Sequence, residues 1–211
     1  MPRRLFSYVV RFDSGFAPNP FHGYCTLATC KPKIRERANI GDWVVGTGSN
    51  ANGIRRGGHL VYAMRVGEIL ETTQYWHDTR FERKKPDLYH SWVAASGDNI
   101  YEPIGSCDWR QLDSYHTKTD GQPNERHIRR DTSVRRILIS EDFVYYGGEG
   151  PKLPGRFQSG GSMDLRRAQR NYQLMDDEEV ITSFEAWLKS HGGRGYEGKP
   201  WDWVCRRQRP N

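Results

Sequence analysis

The chain has 211 residues, 36% hydrophobic and 12% aromatic, with a mean hydropathy of −0.85; this allows one sizeable core built largely on rings and excludes a disordered polyelectrolyte. Its 32 Lys and Arg against 26 Asp and Glu leave a net charge of +6 and a pI near 9.2, which favours polyanions, nucleic acid first, as partners. No apolar run approaches the ~20 residues that span a bilayer, and Met1-Pro2-Arg3-Arg4 leads into a mixed strand, so the expectation is a soluble, cytoplasmic protein that enters no membrane.

From Leu5 to Phe12 the residues Phe6, Tyr8, Val10 and Phe12 alternate with Leu5, Ser7, Val9 and Arg11, the two-residue period of a strand inside a sheet. Two prolines break the pattern between Asp13 and Pro20, and Lys31 to Asn39 then reads as a short basic helix with Pro32 in its first turn. Gly41 to Ser49 and Leu60 to Val66 form the arms of a β-hairpin, with Leu60, Tyr62, Met64 and Val66 on one face. The connection carries Asn50, Asn52, Arg55, Arg56 and several glycines, a set of cations and accessible backbone N–H groups suited to an anion. A merely mobile hairpin loop is the plain alternative.

Glu68 to Pro86 is aromatic and charged and gives neither a clean helix nor a clean strand. Asp98 to Pro103 reads as an Asx turn into a short strand. Tyr115 to Arg136 reads as a long polar surface loop, its basic group made of Arg126, His127, Arg129, Arg130, Arg135 and Arg136. Short strands follow at Ile137-Leu138-Ile139 and from Phe143 to Gly147. Two helices are expected, Met163 to Leu174 and Asp177 to Ser190, the second carrying a stripe of Val180, Ile181, Phe184, Trp187 and Leu188 and ending at Gly192-Gly193. Residues 1–160 then form a binding domain, and 161–211 a helical extension on the same core.

Several chemistries find no motif. No glycine-lysine-serine/threonine follows the glycine loop, Gly46 and Gly48 are only a fragment of a dinucleotide fingerprint, and there is no nucleophile elbow or metal-spaced histidine pair. Thr26-Leu27-Ala28-Thr29 separate Cys25 from Cys30, too loose for a zinc knuckle, while Cys107 and Cys205 are distant. The cysteines read as reduced, buried small hydrophobes, with no metal and no cofactor expected. What stands out is a set that can recognise a planar base: Arg11, Asp13 and Asn19 in the first strand and loop, Trp43, Thr47, Gly48 and Ser49 in the hairpin, and Tyr75, Trp76 and Asp78 beyond it. The same rings can instead be core and the same polar groups turn caps. Arg55, Arg56, Arg126, Arg129, Arg130 and the tail from Arg206 to Arg209 suit phosphate-backbone contacts.

Two resemblances attach to these residues. The order of Gly41-Asp42-Trp43-Val44-Val45, Leu60 to Val66 and Tyr75 to Pro86 resembles the PUA-like superfamily, its EVE and ASCH domains in particular. Ala17-Pro18-Asn19-Pro20-Phe21, Cys25 to Pro32, Asp98-Asn99-Ile100-Tyr101 and Ser140 to Gly147 resemble the second type of nucleotide modification associated domain, a phage and bacterial family inferred to serve DNA base hypermodification. These resemblances cover about residues 5–160. They imply an α+β protein on a small, strongly bent, mostly antiparallel β-barrel of the PUA-like kind, with flanking helices. Three functional readings remain open: a module binding a nucleotide or an extruded, modified base; an enzyme of nucleotide or base modification with Asp13 or Asp78 as general base and an arginine phosphate clamp; and an interaction protein using its basic loop. The partner is a nucleotide or nucleic acid in the first two, and the oligomeric state is left open. Asp13, Asn19, Trp43, Thr47, Ser49, Trp76 and Asp78 are expected around one concave pocket. A perturbed carboxylate beside a reactive side chain favours the enzyme, and an aromatic slot without one favours the binder.

Overall fold

In the computed structural model, which describes residues 3–158, 163–166 and 172–205, alternating side chains make Leu5–Val9 (β1) a strand inside a six-stranded sheet. Cys25–Leu27 (β2) belongs to a second sheet, and the helix Pro32–Arg37 (α1) leads to the hairpin of Trp43–Thr47 (β3) and Leu60–Arg65 (β4). Glu68–Glu71 (β5), the helices Thr72–His77 (α2) and Trp92–Ala95 (α3), and the small hairpin of Tyr101–Pro103 (β6) and Trp109–Gln111 (β7) follow. The helix Glu125–Thr132 (α4), Arg136–Ser140 (β8), Asp142–Tyr145 (β9), Gln173–Met175 (β10), the helix Glu178–His191 (α5) and Gly195–Tyr196 (β11) complete the order.

The large sheet runs β10-β1-β3-β4-β9-β11 and the second β2-β8-β5. One ribbon joins them. β4 passes through Val66-Gly67 into β5, β8 passes through Glu141 into β9, and β4 pairs with β9 and β5 with β8 in antiparallel register. Both strands of this ribbon pass from one sheet into the other. The closed barrel expected from the sequence is not formed: the large sheet ends on β10 and β11 with no pairing between them among the described residues, and closure needs every edge to be taken up by a neighbour. Nor is the sheet antiparallel throughout, because β1–β3 and β9–β11 are parallel. A parallel pair needs a crossover, and the one between β1 and β3 carries β2 and α1. That detour brings Cys30 and its neighbours to one rim of the molecule.

Phe6, Tyr8 and Val10 face inward with Val44, Tyr62, Met64, Leu138 and Ile34, filling the space between the two sheets. Leu5, Trp43, Val45, Ala63 and Val144 cover the other face, where the α5 stripe of Val180, Ile181, Phe184 and Trp187 docks. Leu60 belongs with this second group, not with Tyr62 and Met64. The ladder shifts register at Gly46/Thr47, so Val61 is an extra residue and the two-residue period slips by one. Phe12, expected on the inner face, is 71% exposed, since the strand ends before it.

Two segments that lacked a clear period are helical. Glu71 and Gln74 form a reciprocal cap that starts α2, and Asp78 then caps a short 3₁₀ turn over Thr79–Lys84. Asn124 accepts from the His127 N–H and starts α4, inside the stretch expected to be a loop. The helix expected over Met163 to Leu174 fails at both described ends, with turns at Leu165-Arg166 and a strand from Gln173; 167–171 lie outside the described residues, as do Arg206, Arg207 and Arg209. Among the described residues no helix is long and apolar enough to cross a membrane.

Candidate functional site

The crossover from β2 to α1 turns at Cys30 and Lys31, whose φ angles of 56° and 40° both lie in the left-handed region although neither is glycine. Each such residue costs on the order of 1–3 kcal/mol and persists only where its surroundings hold it. Here the hold is specific. The Cys30 N–H donates to Asp131 Oδ1 at 3.0 Å, and the buried Arg35 donates Nε to the Cys30 carbonyl at 3.0 Å. The same guanidinium reaches the carbonyls of Val134 at 2.9 Å and Arg136 at 3.1 Å, and that of Asp131. Arg35 thus ties the Cys30 turn to the C-terminal end of α4.

His116 fills the gap between them. Its Nε2 lies 3.4 Å from Cys30 Sγ and its Nδ1 2.7 Å from Asp131 Oδ2, while the rings of Phe16 and His127 pack on it with centroids at 4.6 and 4.4 Å. Asp131 also accepts from Tyr101 Oη at 2.8 Å and from Arg130 Nε at 2.8 Å, so each carboxylate oxygen has a charged or hydroxyl donor. Burial opposes all charge here, yet the pairing prevails. The imidazole, against the desolvation of its site, is raised to about 9 by its bonds to Asp131 and Cys30. Cys30, which burial alone would push up, is brought below the ordinary thiol value by the His116 hydrogen bond and charge. Asp131 is likewise buried, and His116 and Arg130 hold it well below the usual carboxylate range. Thiol, imidazole and carboxylate in this order favour a thiolate–imidazolium pair, the arrangement that activates a cysteine nucleophile.

The ligand atoms of Cys30, His116 and Asp131 lie within 4.8 Å of one another, close enough to hold a metal ion. Two features oppose that use. The imidazole spends one nitrogen on the thiol and the other on the carboxylate, on opposite edges of the ring. The guanidinium of Arg130 stands 3.7 Å from Sγ and 3.5 Å from both ring nitrogens, a positive charge that would repel a metal cation.

A second acid lies at the end of β1. Asp13 is buried; Oδ1 accepts from Tyr145 Oη and, at 3.4 Å, from the Gly15 N–H, whereas Oδ2 has no partner. Burial pushes this carboxyl up to about 7 despite the Tyr145 bond. The segment Trp201–Cys205 closes over it: the Asp13 N–H donates to the Asp202 carboxylate, the Asp202 N–H donates back to Asp13 O at 3.0 Å, and Trp203 Nε1 donates to Ser14 O at 2.8 Å.

The expected residues fall into several local networks, one of which links Asn19 to Tyr75 through Thr26 Oγ1. Asn19 is buried and knits the first loop, donating to Gly15 O and Ser96 O and accepting from the fully buried Lys84 Nζ at 2.5 Å. Thr47 and Ser49 are buried, Ser49 Oγ accepting from the Ala51 N–H, and a Cβ at Gly48 would run into the Arg56 backbone. Trp43 packs edge-on against Phe184 and donates Nε1 to Glu185. Tyr75 lies in another cluster, donating to Asp98 Oδ1 at 2.8 Å. Trp76 is buried on α2 with Lys85 Nζ 4.2 Å above its ring, and Asp78 is held by Arg80, whose hydrogen bonds lower its pKa. Trp43 and Tyr75 thus lie in separate clusters, and the carboxylates of Asp13 and Asp78 are engaged by different partners, Tyr145 and Arg80. Arg11, Arg55, Arg126 and Arg129 are exposed and Arg56 is half-buried, whereas Arg130 is engaged at Asp131.

The sequence reading passed over Cys30, His116 and Asp131. Cys30 and His116 are 86 positions apart and no motif spacing links them; the nearest signal was Cys30-Lys31-Pro32, a reactive side chain at a loop-to-helix junction. Neither a curated protein nor a solved structure matches the chain. A family model does, over residues 1–207, described as nucleotide modification associated domain 2. It takes in the whole Cys30–His116–Asp131 centre together with the Asp13 loop, and the chain belongs to that family.

Proposed function

We propose that the protein is an enzyme of nucleotide or base modification that works through Cys30 as a nucleophile. The observation that carries this reading is the relay of Cys30 Sγ, His116 and Asp131 at 3.4 and 2.7 Å on a backbone held in the left-handed region. The family's association with nucleotide modification supplies the substrate class. The thiolate attacks an electrophilic carbon of the nucleotide, forming a C–S bond while an electron pair moves onto the substrate. The His116 imidazolium delivers its proton to that developing negative charge or to the leaving group, and Asp131 stabilises the cation meanwhile. Arg130, beside Sγ, adds positive charge where the anion develops. The arginine clamp and acid–base chemistry of the sequence reading are kept in this proposal, but with His116 as the proton carrier. The proposed partner is a nucleotide or nucleic acid.

The test compares nucleosides from the DNA and the nucleotide pool of cells producing the protein or its Cys30→Ala variant, by mass spectrometry. A modified nucleoside present with the former and lost with the latter supports the proposal. A modification that persists in the Cys30→Ala cells overturns it.

A further inference from the structure

A second region of the surface carries ligand-binding chemistry that the Cys30 centre does not use. Between the first loop and the β9–β11 edge lies an open cavity of about 660 Å³, with Phe21, Phe143 and Tyr196 among its lining rings. That volume falls in the range of small-molecule sites, ~300–1,000 Å³. The rings are held in place from behind. Tyr196 stacks on Tyr145 with centroids at 5.8 Å, and Phe21 stacks on Trp203 at 5.9 Å, which in turn stacks on Trp92 at 6.0 Å. Around this apolar floor stand Arg83, Arg194 and Glu141, all exposed, and none of their side chains takes part in a hydrogen bond or ion pair among the described residues. His22 also lines the cavity, and burial together with the charges of Arg83 and Lys84 drives it down to about 4, so the imidazole is neutral and the local potential is positive.

We infer that this cavity binds a nucleoside 5′-monophosphate unit, with its base against Phe21 and Tyr196 and its phosphate on Arg83 and Arg194. The reasoning is complementarity at three kinds of surface. Tyr196, 40% exposed, offers stacking area to any base, and the buried Phe21 and Phe143 make the apolar floor beside it. Two arginines offer bidentate, charge-assisted bonds to a phosphate. The carboxylate of Glu141 can only accept, so it selects bases that present an exocyclic amino group, as guanine and cytosine do and thymine does not. The site also lies near the reactive centre along the chain. Phe16 packs on His116 and Phe21 lines the cavity, and the five chain steps from one to the other span at most ~17 Å. Binding here does not depend on the chemistry at Cys30.

The experiment is calorimetric titration of the full chain with dGMP, dCMP, dTMP and inorganic phosphate. The expected order is dGMP and dCMP tighter than dTMP, and inorganic phosphate weakest. The double variant Arg83→Ala/Arg194→Ala should weaken dGMP at least about tenfold, and Glu141→Gln should reduce the preference over dTMP. All three side chains are exposed, so these variants leave the core untouched. Inorganic phosphate binding as tightly as dGMP, or a double variant that binds like the original, overturns the nucleotide site; dTMP binding tightest overturns the role of Glu141. The two proposals fail separately: Cys30→Ala should keep full dGMP affinity, and the double arginine variant should keep the original rate of Cys30 alkylation.

Discussion

Replacing His116 by Ala removes the partner that holds the Cys30 thiol in its ionised form. An imidazole raised from its ordinary 6.5 to about 9 reflects roughly 3 kcal/mol of preferential binding of its charged state. The thiol shares in that coupling, and without it only burial and the Asp131 carboxylate act on Sγ, both raising its pKa, while Arg130 alone lowers it. The Cys30 thiol should then titrate near or above the ordinary 9.0. At pH 7 such a thiol is only about 1% ionised, and because a more basic thiolate is also more nucleophilic the alkylation rate falls by less than about 100-fold while its pH profile moves to higher pH. The assay is the pH profile of iodoacetamide modification of Cys30, followed by peptide mass spectrometry, with circular dichroism to confirm the fold. Superimposable profiles for the original protein and the His116→Ala variant would refute the coupling. Asp131→Asn should lower the imidazole pKa that Asp131 raises and loosen the Cys30 turn, since the Cys30 N–H bonds to Asp131.

Other expectations follow from buried groups outside this centre. Asp13 has a folded-state pKa of about 7 against 3.8 for the model carboxyl. Its stabilising contribution is therefore full below pH 4 and lost as pH rises through about 7; Asp13→Asn should flatten the loss of stability between pH 5 and 8 by up to about 3 kcal/mol, and an unchanged difference between urea melts at the two pH values would contradict this. His116 acts in the same sense at higher pH, its contribution present below 6.5 and lost as pH rises through about 9. Lys84→Met would take the ammonium from Tyr24 O and from Asn19 Oδ1 and Asn19 O, the latter two keeping only the Phe21 and Thr26 donors, costing at least about 2 kcal/mol; a melting temperature within error of the original would show that water replaces the ammonium. Trp76→Ala should cost about 3–5 kcal/mol if the buried indole acts as core, and a loss of nucleotide affinity without loss of stability would return it to a base-stacking role.

The sequence patterns carried the sheet better than the site. The alternation in β1, the two arms of the β3–β4 hairpin and the 3–4 spacing in α5 are local, and each element formed where its period placed it. The Val61 bulge was not legible, because nothing in Leu60-Val61-Tyr62 distinguishes a regular strand from one with an extra residue. α4 escaped notice since its sequence, Glu-Arg-His-Ile-Arg-Arg-Asp-Thr, has a single large aliphatic residue, and its one fully buried side chain is an aspartate satisfied by His116, Tyr101 and Arg130. The reactive centre combines β2–α1, the loop at Ser114 and the end of α4, and only the fold brings these together. The aromatic residues that did attract attention serve the core for the same reason that they are numerous: in a chain of mean hydropathy −0.85, rings supply much of the buried apolar surface.

The central claim, that Cys30 is an activated nucleophile, is tested most directly by competition within the unaltered protein. Cys107 is exposed and free, while Cys30 is half-buried. At pH 6, with limiting iodoacetamide, the account predicts that Cys30 is alkylated first in spite of its lower exposure, and that its rate levels off at a lower pH than an ordinary thiol's. Labelling of Cys107 ahead of Cys30, with Cys30 gaining about tenfold per pH unit as an ordinary thiol does, would contradict it.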